Sequence, residues 1–393
     1  MMRFVLENFG PIDRADMELG DLSILVGPQA TGKSIALQML KLAEEYPAIK
    51  KTMIDFAYNP SRGREVFIAD YLGEGMSSIW TDHSLIRTGA KTLSYENIKH
   101  TTVAKREHSV FYIPAQRVMT FDNGWPRRFQ SYESSFPYVV REFSEELFKY
   151  LDKTYASDST GRLFPHPKSL RKSLKDSLAR SVYGRATLSL DKEHSRKRLV
   201  LEPSAEVSLP MATWSAGQRE FTPLMLGLYR LLPSAAKGKD ENIKQVIIEE
   251  PEMGLHPRAI RSFMYIVMEL LYRGYSVVLS THSPAILEIA WALSLIGEGS
   301  DPLSAFCKLF GAAKKSPMED MAYSVLEKSI KVHYFKPGED GKTRTVDISG
   351  MDPSGMADEA DWGGLTEQSS LVGAIVAESA QPYDAEAKKG HRS

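Results

Sequence analysis

A phosphate-binding loop is predicted near the N-terminus by the run Gly27-Pro28-Gln29-Ala30-Thr31-Gly32-Lys33-Ser34. Its G-x-x-x-x-G-K-S spacing lets backbone N–H groups surround phosphate oxygens at the start of a helix. Lys33 would add positive charge to those oxygens, and the Ser34 hydroxyl would bind Mg²⁺. An apolar run over 22–26 and an amphipathic pattern over 36–43 predict the strand before the loop and the helix after it.

Two adjacent carboxylates, Glu249 and Glu250, follow a short apolar run that is typical of a buried strand. In P-loop ATPases, which these residues resemble, the first acid orders the ligands of Mg²⁺, and the second polarises the water that attacks the terminal phosphate. The end of a rigid strand can hold a carboxylate within hydrogen-bond reach of that water. The alternative is an acidic helix start in Glu249-Glu250-Pro251-Glu252, which the presence of Lys33 disfavours.

Two further polar segments accompany the loop and the acids: Trp214-Ser215-Ala216-Gly217-Gln218 and Leu279-Ser280-Thr281-His282-Ser283. Small residues after Ser215 would let a helix start approach a phosphate closely, although the same residues are typical of an ordinary helix cap. His282 closes a predicted buried strand, where a lone histidine is more often structural. The order of the four segments indicates one nucleotide-driven machine.

The periodicity of the sequence predicts an α/β fold. A β-meander is predicted at the N-terminus over 3–9, 15–19 and 22–26. Further strands are predicted at 110–113, 245–248 and 275–279, helices at 217–232 and 257–273, and a C-terminal hairpin of 331–335 with 343–348. Residues 46–110 give no clear pattern.

An insertion is predicted between the phosphate loop and the paired acids, with helices over 139–151 and 170–182 and a hairpin of 186–190 with 198–201. Its basic residues are Arg162, Lys168, Arg171, Lys172, Lys175, Arg180, Arg185, Lys192, Arg196, Lys197 and Arg198, against the acids Asp176, Asp191 and Glu193. A nucleic-acid backbone or an acidic protein would suit this stretch, and so would plain solvation of a helix face. Few aromatic residues accompany it, which disfavours stacking on single strands.

The composition is ordinary for a soluble globular protein, with 393 residues, 42% apolar residues and 25% charged residues. The net charge of −1 gives no global field to recruit nucleic acid, so such binding would need a local patch. The single cysteine, Cys307, excludes an internal disulfide and suits a reducing cytosol. The chain start lacks the pattern of a signal peptide, and no apolar run approaches the ~20 residues of a membrane helix. We therefore expect a cytoplasmic protein.

Taken together, the motifs resemble the ABC-type ATPase superfamily, and more narrowly its soluble branch of RecF-like, SMC-like and OLD-type (overcoming lysogenisation defect) ATPases. The resemblance covers residues 1–45 and 205–290 and is carried by Phe9-Gly10-Pro11-Ile12, Glu249-Glu250-Pro251-Glu252-Met253-Gly254-Leu255-His256-Pro257 and Ser280-Thr281-His282-Ser283-Pro284. It implies an ABC/SMC-type P-loop ATPase head. Such a head has a mixed sheet with an N-terminal antiparallel β-meander and flanking helices, here with a helical and hairpin insertion.

The resemblance implies ATP and Mg²⁺ as cofactors and assigns the catalytic roles to Glu250, His282 and Lys33. His282 would be the switch histidine at the γ-phosphate. The signature, Ser215-Ala216-Gly217-Gln218, would touch the phosphate bound to another subunit.

The resemblance also assigns the metal ligands, which would be Ser34, Glu249 and Gln116. Gln116 is the candidate for the glutamine that touches Mg²⁺ and water, with an ordinary surface glutamine as the alternative. Arg117 would be either a phosphate contact or a salt-bridge partner.

Three positions depart from the branch: Gln29 replaces Asn, Ala216 replaces Gly and Glu249 replaces Asp. None removes a required charge, so we expect ATP hydrolysis, if at a slow rate. The long interval between Lys33 and Ser215 argues against a transporter subunit, and the lack of long heptad patterns argues against an SMC arm. Asp352, Asp358, Glu359 and Asp361 fit a solvated loop better than the acidic triad of a Toprim nuclease.

The predicted domains are an N-terminal head lobe over 1–120, an inserted arm over 121–205 and a C-terminal head lobe over 206–300. A helix and hairpin extension over 301–380 and a disordered tail over 381–393 complete the prediction.

The expected function is an ATPase that forms an ATP-dependent homodimer or higher oligomer and regulates or scaffolds a separate effector, a toxin or a nuclease. Many relatives of this kind act in bacterial anti-phage defence or toxin–antitoxin modules. The alternative is a RecF-like ATPase of DNA repair or DNA-structure sensing, with nucleic acid bound through 162–198. No membrane partner is expected.

Overall fold

A mixed ten-stranded sheet forms the centre of the protein in the computed structural model, which describes residues 1–102, 108–157, 161–166, 170–191, 197–232, 238–314, 316–352, 355 and 357–380. The strands of the described chain are β1 (Met2–Phe9), β2 (Ile12–Leu19), β3 (Leu22–Val26), β4 (Trp80–Thr88), β5 (Lys91–Leu93), β6 (Val110–Ile113), β7 (Phe121–Asp122), β8 (Trp125–Pro126), β9 (Arg162–Phe164), β10 (Thr187–Leu190), β11 (Leu199–Ser204), β12 (Val207–Pro210), β13 (Gln245–Glu249), β14 (Ser276–Ser280), β15 (Ile330–Pro337) and β16 (Thr343–Asp347). The central sheet has the order β5-β4-β1-β2-β16-β15-β3-β14-β13-β6.

Helices cover both faces of this sheet. The helices of the described chain are α1 (Lys33–Asp55), α2 (Arg64–Leu72), α3 (Tyr95–His100), α4 (Tyr138–Ser157), α5 (Lys172–Leu178), α6 (Ala216–Leu231), α7 (Pro257–Tyr272), α8 (Pro284–Gly297), α9 (Pro302–Phe310), α10 (Ser316–Leu326), α11 (Ala357–Ala360) and α12 (Glu367–Ala380). The predicted helices at 139–151, 217–232 and 257–273 are confirmed, as are the strands at 110–113, 245–248 and 275–279. The helix predicted over 170–182 is α5, which continues into a π-helical turn at Ala179–Tyr183.

The central strands are buried on both faces, which explains their continuous apolar runs. In β13, Val246 and Ile248 belong to one apolar core, whereas Ile247 belongs to the other. The first core contains side chains of α6, α7 and α8, and the second contains side chains of α1 and α2. Because successive side chains of a strand point to opposite faces, one apolar run serves both cores.

The C-terminal hairpin, β15 and β16, lies inside the central sheet. Strand β15 pairs in parallel with β3, and β16 pairs in parallel with β2, so the hairpin fills the space between these two strands. The hairpin itself was predicted correctly, but its position differs from that of an extension beginning at 301. The sequence shows the alternation of both strands and does not show which strands they join.

The N-terminal strands also differ from a simple three-stranded meander. Strands β1 and β2 form an antiparallel hairpin, and β4 and β5 extend it on the β1 side. Strand β3 does not pair with β2, since β16 and β15 lie between them. The backbone N–H of Leu22 donates to the carbonyl of Ser329 at 3.0 Å, so the start of β3 is tied to the start of β15.

The inserted arm contains the predicted hairpin and more. Strands β10 and β11 pair antiparallel, and β9 and β12 complete a four-stranded sheet, in which β12 lies beyond the predicted boundary at 205. Helix α4 contributes Phe143 and Leu147 to one apolar core and Tyr138 to the other. Residues 381–393, predicted as a disordered tail, lie outside the described residues.

Replacing Phe335 of β15 with Ala tests whether the hairpin is part of the core. Phe335 is fully buried, so we expect Phe335→Ala to lower the free energy of unfolding by about 3–5 kcal/mol in urea denaturation. Tyr323→Ala is the matched control, because that aromatic side chain is 47% exposed. A loss below about 1 kcal/mol for Phe335→Ala would contradict the central position of the hairpin.

Candidate nucleotide site

The phosphate loop connects the end of β3 to the start of α1. Its glycines adopt positive φ angles, 140° at Gly27 and 92° at Gly32, which L side chains rarely adopt. A Cβ atom on Gly27 would also lie 2.6 Å from the carbonyl oxygen of Phe335. Both glycines are therefore required by the backbone, and the helix start that they shape is suited to bind an anion.

The Lys33 ammonium lies inside this loop. Its Nζ donates to the carbonyl oxygens of Gly27 at 2.8 Å and Pro28 at 2.7 Å. Burial lowers the pKa of Lys33 to about 8, against the opposing charges of Glu250 and Glu252. A phosphate in the loop would give this buried ammonium the anionic partner that it lacks among neutral carbonyls.

Glu249 ends β13 as a fully buried carboxylate. It accepts hydrogen bonds from the Tyr112 hydroxyl at 2.6 Å and the Ala115 backbone N–H at 3.0 Å. Burial is the largest influence on its pKa and raises it, while hydrogen bonds from Tyr112, Ala115 and Ser34 oppose the rise. Mg²⁺ prefers oxygen ligands of this kind, and its charge would stabilise a buried carboxylate, so Glu249 and Ser34 fit the metal.

Glu250 follows with a positive φ of 40°, a strained conformation for a residue with a side chain. Its backbone N–H donates to the carbonyl of Ser280 at 3.0 Å, which ties the ends of β13 and β14 together. Its carboxylate lies 3.5 Å from Nε2 of His282. Hydrogen bonding from His282 is the largest influence on the pKa of Glu250 and lowers it, so the carboxylate is ionised at neutral pH.

Arg117 is bound within the protein, so the salt-bridge alternative describes it better than a phosphate contact. Its guanidinium donates to the carbonyls of Glu249 at 3.1 Å, Glu250 at 3.2 Å and Glu220 at 3.0 Å. A carboxylate oxygen of Glu220 lies 3.6 Å away. Gln116 precedes it as an exposed residue in the turn after β6, and its assignment as a metal ligand stays a prediction.

The signature residues lie at the start of α6. The Ser215 hydroxyl accepts from the backbone N–H of Gln218 at 3.3 Å, and the Gln218 side chain accepts from the Ser215 N–H at 3.1 Å. This capping box satisfies the helix start and leaves Ser215 and Ala216 exposed. A cap and a phosphate contact are both compatible with this geometry, so the signature role stays a prediction.

These pieces meet because β3, β14, β13 and β6 are neighbouring parallel strands. The phosphate loop, His282, the two glutamates and Gln116 all follow the carboxyl ends of these strands, where ligands bind in open α/β sheets. The roles of Tyr112 and Glu220 and the burial of Arg117 are not evident from the sequence. The sequence predicts the apolar strand that contains Tyr112, but it does not show that the Tyr112 hydroxyl binds Glu249.

The basic stretch of the arm is partly neutralised. Its ion pairs include Arg171 with Glu269 at 2.8 Å, Arg198 with Asp191 at 2.7 Å and Lys197 with Asp152 at 2.5 Å. Lys172, Arg180 and Arg185 are exposed. Lys168, Lys192 and Arg196 lie outside the described residues.

Within the described ranges, no helix is long and apolar enough to cross a membrane.

Comparison with known proteins points to the same class. A family model described as "AAA domain, putative AbiEii toxin, Type IV TA system" matches residues 119–288, a range that includes Ser215, Glu249, Glu250 and His282. The OLD nuclease of Thermus scotoductus is 23% identical over 332 residues, which cover 74% of this chain and 60% of the relative. The chain therefore spans about 60% of the length of this curated relative.

Solved structures show weaker likeness. An SMC head bound to the C-winged helix domain of ScpA has a TM-score of 0.42 at 9% identity, covering 88% of this chain and 96% of that one. The SMC head domain from Thermotoga maritima has a TM-score of 0.35 at 10% identity, covering 88% of this chain and 97% of that one. A dimeric bacterial ABC transporter cassette has a TM-score of 0.32 at 11% identity, covering 73% of this chain and 90% of that one. The strand order and the phosphate loop define the fold class.

A phosphate loop opening α1, with paired glutamates at the end of a parallel strand two places away in a mixed sheet, defines a P-loop ATPase. The order of the four motifs is similar to that of ABC/SMC-like ATPases. In sequence the chain is similar to the family model and to the OLD nuclease of Thermus scotoductus.

The lowered pKa of Lys33 predicts a pH-dependent stability. Between pH 8 and 10.5 the unfolded chain holds a proton at Lys33 that the folded chain has lost, so the free energy of unfolding rises with pH in this window. Below pH 8 the Lys33 ammonium is charged in both states, and the full cost of burying that charge is present. Without nucleotide at pH 7, we expect Lys33→Met to raise the free energy of unfolding by about 1–3 kcal/mol.

Denaturation by urea from pH 7 to pH 10 measures this difference, which should shrink above pH 8. Lys308→Met, at an exposed lysine of α9, is the control and should show no such gain. If Lys33→Met were less stable than the parent at pH 7, the buried charge would not carry the stated penalty.

Proposed function

We propose that this chain is an ATP-binding and hydrolysing head that dimerises on ATP and regulates a separate effector, a toxin or a nuclease, in bacterial anti-phage defence. The observation that carries the proposal is the pairing of Glu250 with His282 at 3.5 Å beside the loop that holds Lys33. An ionised base, a polar switch residue and a buried cation then lie at one edge of the sheet.

In this proposal the loop residues 27–34 hold the phosphates, and Lys33 exchanges its loop carbonyls for phosphate oxygens. Ser34 and Glu249 would hold Mg²⁺, which would neutralise charge on the phosphates. Glu250 orients the attacking water and accepts its proton, because its carboxylate is ionised and half-exposed. His282 contacts the γ-phosphate from the adjacent strand end.

The exposed signature supports a site completed by a second copy. Lys33 is buried in its own loop, whereas Ser215 and Ala216 are exposed at a helix start that can bind an anion. A two-fold dimer would place the signature of one protomer on the phosphate held by its partner, giving two composite sites. Hydrolysis at Glu250 would then remove the group that joins the protomers.

Regulation of a separate effector is supported by the names of the relatives. The matching family model is described as an AAA domain and putative toxin of a toxin–antitoxin system, and the curated relative is called a nuclease. In this proposal the toxin or nuclease activity belongs to another protein, to which the ATPase lends its cycle.

A second candidate is a RecF-like ATPase that senses or repairs DNA. The exposed Lys172, Arg180 and Arg185 favour it, because they could contact phosphates of a duplex. The ion pairs of Arg171, Lys197 and Arg198 reduce the charge that remains for such contacts. We therefore rank the effector proposal first.

Complementation between two inactive variants tests the composite site. Lys33→Ala removes the loop cation, and Ser215→Asp keeps a helix-capping side chain while it places a negative charge against the partner's phosphate. Each variant alone should lack ATPase activity. Mixed in equal amounts, they should recover up to about a quarter of the parental activity, because half of the dimers then hold one intact site of two. Lack of recovery, or an active Ser215→Asp, would contradict a site completed in trans.

A pull-down tests the effector. Glu250→Gln should hold ATP and stay in the ATP-bound state, so tagged protein purified from its own cells with ATP should retain a stoichiometric protein partner. Lys33→Ala is the matched control and should lose that partner. Duplex DNA bound without a protein partner would instead favour the RecF-like candidate.

A further inference from the structure

Glu252 is the one acid of the run Glu249-Glu250-Pro251-Glu252 to which the proposed mechanism gives no role. It lies in the turn after β13 and faces the end of β14. Its Oε1 accepts from the Thr281 hydroxyl at 2.8 Å and from the backbone N–H of His282 at 2.6 Å. We propose that Glu252 is a positioning residue, which holds residues 281–283, here called the switch segment, so that the His282 imidazole stays at the Glu250 carboxylate.

The bonds to Glu252 are part of a short chain that fixes the switch segment. The Thr281 hydroxyl accepts from the N–H of Ser283 at 2.9 Å, while the Thr281 N–H donates to the carbonyl of Leu25 at 3.0 Å. Residue 281 is therefore held from the β3 side by backbone and from the β13 side by Glu252. Since the N–H of His282 is bound directly, the backbone that carries the imidazole has little freedom.

The other oxygen of Glu252 shows that the carboxylate is held in place at a cost. Oε2 is buried and has no hydrogen-bond partner among the described residues. A half-satisfied carboxylate is disfavoured in such a position, so the two donors that converge on Oε1 are what hold it there. Burial lowers the pKa of Lys33 and the pKa of Arg117. The negative charge of Glu252 acts in the opposite direction and raises both pKa values.

The consequence for the reaction is specific. Among the described residues, Glu252 forms hydrogen bonds with the switch segment and none with the phosphate loop, where only its charge acts on Lys33. Its loss should therefore misplace His282 and slow turnover while ATP binding persists. This inference rests on the proposed roles of Glu250 and His282 and adds a residue that acts through them.

The experiment compares Glu252→Ala with Glu252→Gln, measuring kcat and the ATP dissociation constant separately. Glu252→Ala removes both accepted bonds, so kcat should fall about 30-fold while the dissociation constant changes less than about threefold. Glu252→Gln offers an amide oxygen to the same two donors and should keep kcat within about fivefold of the parent. Glu288→Ala, at an exposed glutamate of α8, is the matched control and should behave as the parent.

Thr281 provides a second pair of variants that avoids the buried charge. Thr281→Val removes the hydroxyl that joins Glu252 to Ser283 and should lower kcat about fivefold, whereas Thr281→Ser keeps the hydroxyl and should restore it. If Glu252→Ala fails to fold, this pair still decides. A Thr281→Val variant with parental kcat would then overturn the inference.

A double-mutant cycle tests whether Glu252 acts through His282. In the background of His282→Ala, the further change Glu252→Ala should lower kcat by less than about twofold, because its target is already gone. Full additivity would overturn the inference, and so would a Glu252→Ala variant with parental kcat. Equal loss of kcat and ATP affinity together with a lowered melting temperature would also overturn it, because that result indicates a folding role.

The same measurements separate this inference from the proposed function. If Glu252→Ala keeps the parental kcat while Glu250→Gln is inactive, the result contradicts only the positioning role of Glu252. If both Glu250→Gln and His282→Ala keep the parental kcat, the result contradicts the proposed site and, with it, the positioning role.

Discussion

The parallel pairing of β3, β14, β13 and β6 is the constraint on which the site depends. Because these strands run in one direction, every loop that follows their carboxyl ends lies at one edge of the sheet. The phosphate loop follows β3 and opens α1, Glu249 ends β13 and is followed by Glu250, and β14 leads to His282. Hydrogen bonds between strand ends, such as that from Glu250 to Ser280, then fix the spacing between these loops.

A buried polar cluster anchors the helix that carries the phosphate loop. Lys41 of α1 binds Glu45 and lies 2.9 Å from both Glu142 of α4 and the carbonyl of Val110. Glu45 accepts from the N–H groups of Ser109 at 2.8 Å and Val110 at 2.9 Å. Removing one member would leave a buried charge without its partner, so α1, α4 and β6 are held as one unit. Strand β6 also contains Tyr112, whose hydroxyl donates to Glu249.

The sequence sufficed wherever a local pattern determines the structure. The glycines of the phosphate loop, the apolar run ending at Glu249 and the stripe of α7 each carry their own period or spacing. The sequence did not predict which distant strands pair in the sheet. The alternation of apolar and polar residues in β15 and β16 does not show that these strands separate β2 from β3. The partners of Tyr112 and Arg117 were hidden for the same reason: one buried hydroxyl or guanidinium can bind any carbonyl or carboxylate that the fold brings near.

The most direct test of the hydrolytic site is single-turnover phosphate release from ATP, with protein in excess, for the parent and for Glu250→Gln. We expect Glu250→Gln to bind ATP within a few fold of the parent, because Lys33 and the loop are intact. We also expect phosphate release to slow at least about 100-fold, because the base is gone. Release at the parental rate would contradict the assignment of Glu250 and the mechanism built on it.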